Sequence, residues 1–302
     1  PEDQRKTYQK LQNGNLRLLF VAPERLFNSN LVDTLSQLPI QRFAIDEAHC
    51  ISQWGHDFRP EYRQLSALRE HFPQASFHAY TATATPHVRK DIAEQLHLKK
   101  PEILVGTFDR PNLTYRVIQR ADRKAQILEI LGRHSKEASI IYCNSRRETE
   151  RLAKNLTASG LLASPYHAGL DAKTRNRTQE AFAKETLDIV IATVAFGMGI
   201  DRSNVRLVLH TGLPKSIEAY QQETGRAGRD GLAAECVLLY SPADVFSWEA
   251  LIRQGAESSE LTEDEAQTLI NSQIVHLQRM RHYAQAASCR HAFLSEHFGQ
   301  SY

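Results

Sequence analysis

The segment Arg42-Phe43-Ala44-Ile45-Asp46-Glu47-Ala48-His49 runs from apolar residues straight into two adjacent carboxylates and a histidine. Neighbouring acids repel, and a chain tolerates them at a strand end where a cation or a reacting water offsets the repulsion. In nucleotide hydrolysis the first acid, Asp46, would hold Mg²⁺, and the second, Glu47, would orient and deprotonate the attacking water. A strand that simply exits into a polar loop would show the same short pattern, so the remaining motifs have to decide.

Two arginines, Arg226 and Arg229, stand three apart in the glycine-punctuated run from Gln222 to Gly231, QETGRAGRDG. That spacing predicts guanidiniums on one helix face, where they repel one another unless they meet an anion such as polyphosphate. Gly225 and Gly228 would let the backbone come close. After His49 follows a loop with Trp54, His56, Phe58 and Arg59. Aromatic faces stack on bases, worth roughly 1–3 kcal/mol each, and the basic groups would face phosphate. Alternatively Trp54 and Phe58, four apart, are core residues of a short helix. Thr81, Thr83 and Thr85 alternate with alanines, and on a strand their hydroxyls would face one side and relay hydrogen bonds from the carboxylates. Thr193 to Asp201, ATVAFGMGID with its preceding Ala192, carries two glycines suited to a backbone contact with phosphate or nucleic acid.

These groups need elements to position them. Hydrophobic residues make up 41% and charged residues 24% of the 302, the balance of a globular chain. No apolar run reaches the roughly 18 residues of a membrane span, and no secretory leader pattern opens the chain, so no membrane partner is expected. Cys50, Cys143, Cys236 and Cys289 have no paired spacing, which suits reduced thiols rather than a disulfide frame. A formal net charge of +2 permits nucleic-acid binding through local basic surface only. Strands are predicted at Leu16–Ala22, Phe43–Ile45, Phe77–Thr81, Ser139–Cys143, Ile189–Thr193, Val205–His210 and Cys236–Tyr240. Helical periodicity falls between them, at Val88, Ile92 and Leu96 and again at Ile127, Leu128 and Leu131. The alternation predicts parallel α/β sheets. The pattern breaks around Phe108-Asp109-Arg110-Pro111-Asn112, a linker expectation, and gives way after Pro242 to helices carrying Leu269, Ile270, Ile274, Leu277 and Met280.

Taken in order, VAPERL (Val21 to Leu26), DEAHCISQWGHDFRPEY (Asp46 to Tyr62), TATAT (Thr81 to Thr85), FDRPN (Phe108 to Asn112), IIYCNSR (Ile140 to Arg146), YHAGL (Tyr166 to Leu170), ATVAFGMGID (Ala192 to Asp201) and QETGRAGRDG resemble the RecQ-type DNA helicases of superfamily 2. The acidic motif continued by the aromatic loop is the specific part, since the acidic motif alone also occurs in RNA helicases. The resemblance implies two RecA-like P-loop NTPase domains with parallel sheets. Residues 1–107 would be the later part of the first, truncated at its N-terminus, residues 108–243 the second, and 244–302 the helical start of an incomplete zinc-binding module. It implies ATP-dependent 3′-to-5′ unwinding of DNA in recombination, repair, replication and the SOS response, in a bacterial cytoplasm at the nucleoid. It further implies ATP and Mg²⁺ as cofactors. Single-stranded DNA and duplex junctions would be partners, with a single-strand-binding protein attached through modules outside this chain. Carried over by position, Asp46 would hold Mg²⁺, Glu47 would activate water, and Arg229 would be the finger on the nucleotide with Arg226 and Gln222 beside it. His49, Thr81, Gly199 and Asp201 would contact the nucleotide. Trp54, His56, Phe58 and Arg59 would sense single-stranded DNA, and Arg25, Asn144, Arg146, His167 and Thr193 would line its backbone track.

Two departures qualify that reading. Of the 14 glycines none is followed by lysine, so no G-x-x-x-x-G-K-[ST] phosphate loop occurs, and Gly212-Leu213-Pro214-Lys215-Ser216 has the wrong spacing and a proline. ATP is therefore expected to bind poorly and the chain, which starts at Pro1, to be an inactive fragment. Cys289-Arg290-His291 followed by His297 resembles the opening of the family's zinc module, yet four ligands close a structural zinc site. Cys289 is expected as a lone remnant, with Zn²⁺ held only by longer family members. The alternatives are a non-hydrolysing DNA-binding fragment and an RNA helicase or remodelling ATPase.

Overall fold

The computed structural model describes residues 2–27, 30–55, 57–197, 200–257 and 262–302. The chain divides into two compact units, Pro1–Leu104 and Val105–Tyr302. The expected boundary at 107/108 falls three residues past this division. At 243/244 there is none, because the C-terminal helices share a core with the second unit.

The first unit holds helices α1 (Glu2–Gln12), α2 (Pro23–Phe27) and α3 (Leu31–Ser36), strand β1 (Arg42–Ile45), short helices α4 (Pro60–Arg63) and α5 (Leu68–His71), strand β2 (Ser76–Ala79) and helix α6 (Pro86–Gln95). β1 and β2 pair in parallel, Phe43 opposite Phe77. Pairing continues past the strand ends, with the Tyr80 amide donating to the Ile45 carbonyl at 2.8 Å and the Ala48 amide to the Tyr80 carbonyl at 2.9 Å. This lock fixes where Asp46 and Glu47 leave the sheet. Thr85 caps α6 by accepting from the Val88 amide, Pro86 fits the first helical turn, and Val88, Ile92 and Leu96 face the core.

Two expectations in this unit fail. Residues Leu16–Ala22 form no strand. Their alternation is real, since Leu16, Leu19 and Val21 pack on the core while Leu18 and Phe20 point outward, but no described strand pairs with them. Likewise β2 ends at Ala79, so Thr81, Thr83 and Thr85 lie on no common strand face. Thr81 turns to His49, Thr83 is buried and Thr85 caps a helix.

The second unit holds β3 (Leu113–Gln119), α7 (Arg123–Arg133), β4 (Ala138–Tyr142), α8 (Arg146–Ala158), β5 (Ala163–Tyr166), α9 (Ala172–Ala183), β6 (Ile189–Ala192), β7 (Val205–His210), α10 (Ile217–Thr224), β8 (Ala234–Tyr240), α11 (Ala243–Glu257), α12 (Glu263–Gln285) and α13 (Arg290–His297). Its six described strands pair in parallel in the order β3-β8-β7-β4-β6-β5. Every residue of β4 and β6 is buried, as a parallel sheet covered on both faces requires. Asp122, Ser145, Asp171 and Ser216 each accept a backbone amide at the start of α7, α8, α9 and α10, which sets where those helices begin. Thr262 and Glu265 form a reciprocal capping box on α12. Leu277, Met280, Tyr283 and Phe298 of the C-terminal helices pack with Leu213, Ile217, Tyr220 and Leu238 in one cluster, so residues 244–302 are not a free-standing module.

Candidate functional site

Asp46 is exposed immediately after β1 and accepts the Glu47 amide at 2.9 Å. Glu47 itself sits in the left-handed region, φ 50°, a conformation that costs a non-glycine residue roughly 1–2 kcal/mol. Strain of this kind persists where the surroundings impose it, commonly at functional sites. Here it starts the short 3₁₀ turn Ala48–Ile51, which buries His49. His49 Nδ1 lies 2.9 Å from Thr81 Oγ1 and 3.3 Å from Glu47 Oε2. One imidazole thus lies between the second acid and the segment after β2, hydrogen-bonded to the latter.

The loop beyond this turn is not a helix. Trp54 is 54% exposed, its ring 5.3 Å edge-on from His87, so the reading of Trp54 and Phe58 as core of a short helix is set aside. Phe58 is half-buried with the Arg63 guanidinium over its ring. Arg59 pairs with Asp57 at 2.9 Å, and its amide donates to the Cys50 carbonyl. Although burial pulls the other way, Asp57 holds the Arg59 guanidinium above its ordinary range. Arg25 is exposed on α2. His56 lies outside the described residues, as does Gly199 of the second unit.

In the second unit, α10 stops at Thr224, and Arg226 and Arg229 stand on the turns that follow instead of sharing a helix face. They are nonetheless brought to one segment: Arg226 donates to the Gly197 carbonyl at 2.5 Å and Arg229 to the Ile200 carbonyl at 2.9 Å. Desolvation and the neighbouring Arg226 push the Arg229 guanidinium down, against the pull of Asp201, so an added anion would be favoured there. Asp201 is exposed, and Gln222 is half-buried on α10. Sequence reasoning missed Arg110, which donates to the carbonyls of Ala227 and Gly228 at 3.0 and 2.9 Å and so holds the arginine turn from more than a hundred positions away. It also missed the buried pair His210–Glu223, 2.7 Å apart, with His210 packed between Tyr142 and Tyr220. Polar residues inside apolar strands were the available signal.

His167 and Thr193 follow β5 and β6 directly and Asn144 follows β4 after Cys143, so adjacent strands deliver them to the same carboxyl edge of the sheet, where open α/β sheets bind ligands. Arg146 opens α8 beside them; a methyl on Gly169 would lie 3.2 Å from both Arg146 Nη1 and His167 Nδ1. His167 is buried and paired with Glu150 at 3.0 Å. Cys289 is exposed before α13, but the nearby histidines face elsewhere, His291 to Asp109 and His297 to Glu218, each at 2.7 Å.

Comparison with known proteins follows the same order along the chain. Residues 1–92 match the DEAD/DEAH box helicase family, 112–231 the helicase conserved C-terminal domain and 242–302 the RecQ zinc-binding family. The chain is 44% identical over 299 residues to the ATP-dependent DNA helicase RecQ of Pasteurella multocida, covering 99% of this chain and 46% of that protein. It is 41% identical to the RecQ helicase of Haemophilus influenzae, covering 99% and 47%. It thus spans about half the length of these relatives. Among solved structures, the Mycobacterium smegmatis helicase Lhr bound to ssDNA and AMP-PNP superposes with a TM-score of 0.60 at 20% identity, covering 94% of this chain and 43% of that one. Saccharomyces cerevisiae Dbp5 bound to RNA and ADP BeF3 gives 0.57 at 19% identity, covering 81% and 67%, a likeness of fold. Three consecutive family matches and this identity along nearly the whole chain place it among the RecQ-type helicases, with the α/β architecture of their two RecA-like domains.

Proposed function

We propose that these residues form the motor of an ATP-dependent DNA helicase that moves 3′ to 5′ along one strand. The observation that carries the reading is the continuity of one short segment. Asp46 and Glu47 leave β1, His49 joins Glu47 to Thr81, and ten residues of loop then present Trp54, Phe58 and Arg59. Such a segment can report an occupied DNA strand to the acid beside the nucleotide.

Bound Mg²⁺–ATP supplies the phosphoryl group and the metal charge on it; the exposed Asp46 carboxylate, a hard oxygen donor, suits Mg²⁺. The glycine-lysine phosphate cradle is not among these 302 residues. Glu47, held by its own turn and by His49, takes the proton from the attacking water. Arg226 and Arg229, with Gln222 beside them, offset the developing phosphoryl charge as preorganised cations do at little reorganisation cost, and His49, Thr81, Gly199 and Asp201 contact the nucleotide. The base-stacking loop senses single-stranded DNA, and Arg25, Asn144, Arg146, His167 and Thr193 contact its backbone. Cys289 supplies one ligand of a zinc site that residues 242–302 do not complete by themselves, since they carry no second cysteine.

The test is hydrolysis measured on a chain that also carries a phosphate loop. Glu47→Gln and Arg229→Ala should each lower DNA-stimulated turnover by about 100-fold or more, the range for loss of one preorganised catalytic group. Turnover near the parent level would overturn these roles, and equal stimulation by RNA would favour the RNA-helicase reading.

A further inference from the structure

Among the described residues, one cluster places three groups of metal-ligating type within 4.8 Å of one another: His49, Cys50 and Asp57. Cys50 Sγ lies 3.7 Å from His49 Nε2 and 4.0 Å from Asp57 Oδ2. Zinc bonded to thiolate and imidazole at its usual lengths in tetrahedral geometry sets the two donor atoms about 3.6 Å apart. The spacing on hand is within a few tenths of an ångström of that. His49 and Cys50 are buried at 2% and 1% exposure, whereas Asp57 sits on the open loop and gives an entry path.

The far side of the imidazole strengthens the case. His49 Nδ1 is hydrogen-bonded to the Thr81 hydroxyl at 2.9 Å, with the Glu47 carboxylate 3.3 Å away. With the proton on Nδ1, Nε2 is the donor atom on the side of Cys50 and Asp57. A hydrogen-bond partner behind the ring is what orients a zinc-binding histidine. Arg59 also holds Asp57 Oδ2, but a carboxylate has two oxygens and about four acceptor positions, enough for a guanidinium and a cation together.

We propose that His49 Nε2, Cys50 Sγ and Asp57 form a binding site for a thiophilic divalent cation of the zinc class, with water as fourth ligand, separate from the site to which Cys289 contributes. Binding releases the Cys50 proton to solvent and forms the metal–thiolate bond. A corollary rests on the hydrolysis mechanism proposed above: a metal on Nε2 adds positive charge to an imidazole 3.3 Å from Glu47, which opposes that carboxylate's taking a proton from water, so an occupied site inhibits.

The binding test does not depend on that corollary. Metal-stripped chain carrying Cys289→Ser is titrated with Co²⁺ and followed by thiolate-to-cobalt charge-transfer absorption. Cys143 and Cys236 do not compete, because among the described residues neither lies in a group of metal-ligating side chains. One Co²⁺ per chain with a thiolate band, displaced by Zn²⁺, is expected. Cys50→Ser should abolish the band and weaken binding more than about 100-fold, beyond the 10–100-fold typical of outer partners. Asp57→Ala, on the exposed loop, should weaken binding at least tenfold while near-ultraviolet circular dichroism stays at the parent signal. Absence of a thiolate band in the Cys289→Ser chain, its survival in Cys50→Ser, or parent affinity in Asp57→Ala would overturn the proposal.

Discussion

Replacing Gly228 by alanine tests how the arginine turn is held. Its φ is +52°, and a methyl group there would lie 2.6 Å from Asn112 Nδ2 and 2.8 Å from the Leu232 carbonyl. The left-handed backbone alone costs a non-glycine residue roughly 1–2 kcal/mol. Asn112 Nδ2 donates to the carbonyls of Gly228 and Leu232, both at 2.9 Å, so moving it aside gives up two hydrogen bonds at about 1 kcal/mol each. The total is roughly 3–4 kcal/mol. In a unit of this size each kcal/mol moves Tm by about 2–4 °C, so a fall of roughly 6–16 °C is expected. Gly231 supplies the control, since its φ is +81° but a methyl there meets nothing within 4 Å. Gly231→Ala should therefore show the conformational part alone, roughly 2–8 °C. The transition is followed by Trp248 fluorescence in a Trp54→Phe background, because the two tryptophans lie in different units. If Gly228→Ala melts no lower than Gly231→Ala, the Asn112 and Leu232 contacts do not hold the turn and the reasoning is wrong.

Glu218 is buried at 3% exposure between His297 at 2.7 Å and His276 at 3.4 Å. Burial alone would raise its carboxyl, but the hydrogen bond from His297 and the neighbouring His276 imidazole outweigh burial and hold it well below the ordinary carboxylate range. A depressed folded pKa stabilises above the unfolded value, about 4.3, and that stabilisation is lost as pH falls through the folded value. Parent Tm should therefore drop steeply in acid below about pH 4. Glu218→Gln should show a flatter acid limb and lose about 3 kcal/mol at neutral pH, read from denaturant melts at each pH. Trp54→Ala should leave the unfolding free energy within about 0.5 kcal/mol of the parent, because the ring is mostly exposed, while DNA stimulation of hydrolysis falls at least tenfold. A matching loss of stability would make the loop structural.

Local signals made the second unit legible. β4, β6 and β7 are short apolar runs buried on both faces, and a polar capping residue stands before each of α7, α8, α9 and α10, so both element type and start were written in neighbouring residues. What depended on distant partners was not readable. Leu16–Ala22 alternates as a strand does, but a ladder needs a second strand, which periodicity cannot supply. Arg226 and Arg229 have helical spacing, and Gly225 at the end of α10 with the positive φ of Gly228 overrides it. The acid pair was legible because its chemistry is adjacent in sequence. The hold of Arg110 on the arginine turn was not, because its acceptors lie more than a hundred residues on.

The same distinction explains why residues 244–302 read as a separate module and pack as part of the second unit. Leu213, Ile217, Tyr220 and Leu238 are fully buried and Tyr240 is 5% exposed, in a cluster completed by α11, α12 and α13. Arg120 and Asp244 lock the junction with a 2.6 Å ion pair, and Asp244 also accepts the Leu213 amide. Fully burying one large apolar side chain is worth about 1.5–3 kcal/mol. If removing the helices uncovered only half of the area of these five, residues 105–243 would lose roughly 4–8 kcal/mol, against the 5–15 kcal/mol that holds a typical domain together. The fragment is spared the entropy of ordering the helices, but that entropy is offset in the longer chain by the helices' own buried side chains, Leu277, Met280, Tyr283 and Phe298 among them. A fragment of residues 105–243 should therefore melt without a cooperative transition or precipitate, while 105–302 melts sharply. Tyr220 lies on α10, 5.2 Å from the Tyr283 ring and one turn before the end of the helix that leads into the arginines, so undocking the helices removes the packing that orients that helix. A 105–243 fragment with a sharp thermal transition near that of 105–302 would show that the helices are dispensable to the sheet and to the arginine turn built on it.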